Sequence, residues 1–109
     1  MLTNVQYEVL REQLDRKLYG ISFSDVEMKK AYEDAMMEAK SIVKSVGLLN
    51  TEVLLPEQEC SEIIGWLQVK AARVKNMDES QEYMKYYCEA IYEATSVVEL
   101  FYTRWRSCI

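Results

Sequence analysis

Tyr83 to Trp105 reads YMKYYCEAIYEATSVVELFYTRW, and its apolar residues return every three or four positions: Met84, Tyr87, Cys88, Ile91, Ala94, Val98, Phe101, Tyr102 and Trp105. At about 100° per residue these fall on one side of a helix, and neither proline nor glycine interrupts the run. Tyr83, Tyr86, Ala90, Val97 and Phe101 widen the apolar arc past half the cylinder, leaving Lys85, Glu89, Glu93 and Thr103 on the wet side. A rod of this kind must be covered by at least two other helices. Its arc also exceeds what a monomer of this size is expected to bury, which points to a helical bundle that can form dimers.

Upstream, Pro56 suits the first turn of a third helix reaching Lys75, with Glu57 and Glu59 near its positive end. Cys60, Ile63, Ile64, Leu67, Ala71 and Val74 make one face, and Gly65, Trp66, Val69 and Ala72 make a second strip roughly opposite. A helix apolar on two sides is either central in its fold or shared with another chain. The first helix could cover the second strip through Val5 and Val9. Otherwise Trp66, Val69 and Arg73 would anchor a second protein or a second copy of this chain. After a break at 76–79, Asp78 with Gln81, or Ser80 alone, is placed to cap the fourth helix.

Two more helices precede these. Thr3 with Gln6 forms a capping box ahead of a stripe of Tyr7, Leu10, Leu14 and Leu18, and Gly20 is a left-handed stop. Ser24 with Glu27 repeats the capping pattern before Met28, Ala31, Tyr32, Ala35, Ala39, Ile42, Val43 and Val46, with Gly47 expected to end that helix. Residues 48–55 read as an ordered connection packed on the core. The expectation is one all-α domain over residues 1–109, four-helix bundle-like, with helices at 4–19, 25–46, 56–75 and 79–107 and a long C-terminal helix.

At 109 residues there is room for one core, and a chain half hydrophobic and 28% charged folds rather than staying disordered. The net charge is −5, with 6 Lys and Arg against 10 Asp and Glu in residues 51–109. That balance opposes binding a nucleic-acid backbone over a large area, which needs clustered cations. No apolar run approaches the roughly 20 residues that span a bilayer, and no leader pattern opens the chain, so a cytoplasmic protein without membrane contact is expected. Cys60, Cys88 and Cys108 are odd in number and widely spaced, as suits small core residues and a free thiol in a reducing compartment.

Chemical signatures are sparse. With no histidine, the chain lacks the usual proton carrier near neutral pH and the usual nitrogen ligand of transition metals. Its three glycines stand singly, so no phosphate-cradling loop exists. Glu33, Asp34, Glu38 and Glu62 could gather around magnesium, although a solvated helical surface explains them better.

Lys70, Arg73, Lys75, Tyr83, Lys85 and Tyr86 form an aromatic and basic grouping that would stack a base and neutralise phosphate if it converged. The competing reading packs the tyrosine rings in the bundle and sets the cations against the helix dipole. Arg104 and Trp105, with Arg106, mark the C-terminal end as a second interface candidate beside Trp66, Val69, Arg73 and Tyr86, since arginine, tryptophan and tyrosine dominate interfaces.

These features point to a non-enzymatic binding protein that acts by occupying another macromolecule's surface, with no cofactor and no metal. Acidic flanks favour a basic partner, such as a nucleic-acid-binding protein, and homo-oligomers are expected as well. Small, acidic, helix-only chains are frequent among accessory proteins of phages and mobile elements, where such occupation inhibits a host or defence protein. The alternative is a helical protein that binds or sequesters a nucleotide through the grouping named above. A carboxylate-only, metal-dependent hydrolase using Glu33 and Glu38 is the third reading.

Overall fold

The computed structural model describes residues 4–19, 26–49, 56–76 and 78–107, with the side chains of residues 4, 19, 47–49, 56, 75 and 105–107 outside that description. The caps at Thr3 and Ser24, the stop at Gly20, the connection at 50–55, Cys108 and the side chains of Lys75, Trp105 and Arg106 therefore lie outside the described residues. Four helices follow one another: α1 (Asn4–Tyr19), α2 (Val26–Leu49), α3 (Pro56–Arg73) and α4 (Gln81–Ser107), with a short 3-10 turn at Val74–Asn76 after α3. No strand occurs among the described residues, and the protein is an all-α, four-helix bundle-like domain.

Three boundaries differ from the sequence expectation. Gly47 does not end α2, which runs on to Leu49 with no left-handed glycine among the described residues. Packing of Ile42, Val43 and Val46 holds these last turns, and a glycine inside a helix costs only about 1 kcal/mol. The third helix gives way at Arg73 to tighter i to i+3 winding around the buried Val74. The fourth starts at Gln81, because Ser80 alone is its cap: the Ser80 hydroxyl accepts the Tyr83 N–H at 3.1 Å and the Ser80 carbonyl accepts the Met84 N–H at 3.1 Å.

Polar contacts fix the helix directions. Ser80 donates to the Glu27 carboxylate, and Tyr83 donates to Asp34 Oδ2 at 2.6 Å, so α2 and α4 ascend together as a parallel pair. Cys88 donates to the Ala71 carbonyl at 3.6 Å while Tyr102 sits by Glu59, so α3 runs antiparallel to α4. The Glu38 to Lys70 ion pair at 3.6 Å and the proximity of Val46 to Glu62 set α3 antiparallel to α2 as well.

Helix α1 packs on α2 and α4, with Lys40 donating to Asp15 Oδ1 at 2.7 Å, and makes no contact with α3 among the described residues. The α2–α4 pair is thus the short diagonal of a flattened bundle, 42 × 28 × 18 Å, with α1 and α3 on opposite sides.

The core fills both sides of this pair. Leu10, Leu14, Ile63, Leu67 and Ile91 are fully buried, each contributing about 1.5–3 kcal/mol over an exposed side chain. Tyr83, Ala90, Val97 and Phe101 are buried too and Tyr86 is half-buried, so most of the widened arc expected to stay spare on α4 is covered within the bundle. Helix α4 touches all three other helices, and the wide arc is what a rod on the short diagonal needs. Tyr92 and Leu100 alone remain as large exposed apolar residues on α4 among those described.

Candidate functional site

Helix α3 carries an uncovered stripe of its own. Glu62, Trp66, Val69 and Arg73 are spaced four, three and four residues apart, so they share an arc of about 60° on the face turned away from the core. All four are exposed, Trp66 at 48% and Val69 at 37%. Helix α1 does not cover this strip through Val5 and Val9, because it sits across the α2–α4 pair and leaves Val5 itself 74% exposed. Gly65 borders the stripe, and a Cβ placed there would meet nothing within 4 Å, so the chain's own packing does not require the glycine.

Beside the stripe, α2 and α3 enclose an open groove of about 290 Å³. Ile42, Val46 and the Trp66 indole supply its apolar surface, and Glu38, Ser41, Ser45, Glu62 and Lys70 its polar rim. That volume is at the small end for an organic ligand and suits one or two side chains of a partner. An indole open on one side, next to apolar ground and a rim of opposite charges, is the chemistry of an interface anchor.

The aromatic and basic grouping is divided among three places. Tyr83 is buried to 1% with its hydroxyl on Asp34, and Lys30 Nζ stands 5.3 Å from the centre of its ring. Burial first, and then the hydrogen bond to Asp34, pushes the Tyr83 phenol well above its ordinary range. Lys70 lies across the bundle in the α2–α3 groove, paired with Glu38. Tyr86 is half-buried with Lys85 Nζ 5.8 Å from its ring centre, and sits about 200° around α4 from Cys88, which faces α3. Lys70 and Tyr86 therefore belong to opposite flanks, and Arg73 stands on the exposed α3 stripe.

The interface candidates divide similarly. Trp66, Val69 and Arg73 are neighbours on one face, whereas Tyr86 is on the far side of α4 and Arg104 is exposed near the start of α3, about half a turn beyond the Tyr102–Glu59 contact. Among the acids weighed for magnesium, Asp34 is taken by Tyr83 and Glu38 by Lys70; no group of three or more metal-ligating residues occurs among the described residues. Cys60 and Cys88 are half-buried thiols against the core, neither in a disulfide, and burial, reinforced by Glu99, pushes the Cys60 thiol up and keeps it protonated.

Glu38, Ser41 and Ser45 enter the site only through the tertiary structure, whereas Glu62 and Lys70 stand one turn before and after Trp66 on α3, a spacing that could have marked them beside it. No described helix is long and apolar enough to cross a membrane. Comparison of the chain with protein-family models, with curated proteins and with solved structures finds no match.

Proposed function

We propose that this protein is a non-enzymatic binding module that occupies the surface of another protein through the outer face of α3, with Trp66 as its anchor. The half-exposed Trp66 indole beside the α2–α3 groove carries this reading, because a large aromatic left open on a stripe with Val69, next to a groove with apolar walls, offers surface that binding would remove from water. The excess of 18 Asp and Glu over 13 Lys and Arg favours a basic partner, for which a nucleic-acid-binding protein is the natural type, and occupation of its surface would inhibit it.

Affinity capture with the immobilised chain, paired with Trp66→Ala, tests the proposal. The wild type should retain a discrete protein that Trp66→Ala loses, with circular dichroism unchanged. Retention of the same protein by both forms, or by neither, would overturn it.

A further inference from the structure

The order of residues on the exposed stripe of α3 is self-complementary. Trp66 and Val69 straddle a point midway between positions 67 and 68, and so do Glu62 and Arg73. A two-fold axis through that point, normal to α3, would lay a second α3 antiparallel on the first. Trp66 of each copy would then face Val69 of the other, and Glu62 of each would face Arg73 of the other.

We infer that this stripe binds a second copy of the chain in an antiparallel, two-fold symmetric pair, which rests on reading the outer face of α3 as a binding surface. Three observations select this occupant. The two charges sit about 16 Å apart at the ends of the stripe with opposite signs, so antiparallel pairing makes two opposite-charge contacts, whereas parallel pairing would set Glu62 against Glu62 and Arg73 against Arg73. The apolar centre matches a large residue with a small one on each side of the axis, as an isologous interface requires. Gly65 and Ala72 remove bulk along one edge, and at Gly65 nothing within the monomer fills the space a side chain would take. That open space lets the second helix approach closely.

One helix-on-helix crossing covers less than the roughly 800 Å² per partner of a standard interface, so the association should be weak, in the micromolar range or above. A partner that binds the same stripe more tightly would displace the second copy by mass action.

Sedimentation of the full chain over a series reaching about 0.5 mM, a concentration set by that weak range, tests the pairing. The wild type should pass from monomer to dimer. Glu62→Arg and Arg73→Glu, each reversing both charge contacts, should each weaken the dimer about tenfold or more, and the Glu62→Arg/Arg73→Glu double variant should restore it. All four side chains are exposed, so circular dichroism should report the same fold throughout.

A chain that stays monomeric at the top of the series, single variants that dimerise as well as the wild type, or a double variant that fails to recover would each overturn the inference. Failure here with capture of a partner still lost in Trp66→Ala leaves the binding-module reading standing. A dimer that behaves as expected, with capture indifferent to Trp66, refutes that reading alone.

Discussion

Tyr83 shows how one residue can serve a role opposite to its sequence appearance. Beside Lys85 and Tyr86 it resembles part of a stacking platform, yet its ring is in the core and its hydroxyl is committed to Asp34 at 2.6 Å. Tyr83→Phe should lower stability at pH 7 by about 1.5–3 kcal/mol, the range for a hydrogen bond to a charged group, as read by urea unfolding. An unchanged midpoint would mean that the bond contributes nothing. Gly65 is the converse case, since the monomer has room for a side chain there. Gly65→Ala should raise monomer stability by about 0.5–1 kcal/mol through restored helix propensity, and a destabilised variant would contradict the open space around it.

Among the helices, α1 is the least integrated. It leans on the α2–α4 pair through Leu10, Leu14 and the Asp15–Lys40 contact, while α2, α3 and α4 each touch the other two. Leu14→Ala should cost about 2–5 kcal/mol, because Leu14 is fully buried and its loss leaves a cavity under α1. Native-state hydrogen exchange should find the α1 amides opening at lower free energy than the centre of α4 around Ile91. Uniform protection across all four helices would show instead that α1 opens only with the whole fold. The Lys40–Asp15 pair is about three-quarters buried on each side, and Lys40→Met tests whether it orients α1 or merely decorates the contact.

The bundle as a unit carries a pH signature set by buried tyrosines. Burial, followed in order by nearby carboxylates, raises the phenols of Tyr32 through Glu93 and Glu89, of Tyr87 through Glu38 and Asp34 up to about 12, and of Tyr102 through Glu59; Tyr83 is raised as described above. Each of these groups keeps its proton in the folded state above the ordinary tyrosine value near 10, where the unfolded chain has released its own. Their stabilising contribution is therefore fully present below pH about 10 and is lost as pH rises toward the folded-state values. Urea stability should fall steeply above that point, and Tyr83→Phe should fall less steeply than the wild type. Equal slopes would remove Tyr83 from the list of responsible groups.

Much of the architecture was legible in the chain. Helical periodicity in Met84–Tyr102 and in Met28–Val46 specified amphipathic rods, because a 3.6-residue repeat buries one stripe whatever surrounds it, and Ser80 was one of the two caps readable ahead of α4. Trp66, Val69 and Arg73 were readable as one face for the same reason. What the periodicity could not contain was which helix lies against which. Wide apolar arcs on α3 and α4 look alike in sequence, and only the docking of α1 across the α2–α4 diagonal covers most of the second and leaves the outer strip of the first open. Local spacing assigns faces through bond geometry alone, whereas neighbours are chosen by the long-range packing that shields the most apolar surface from water.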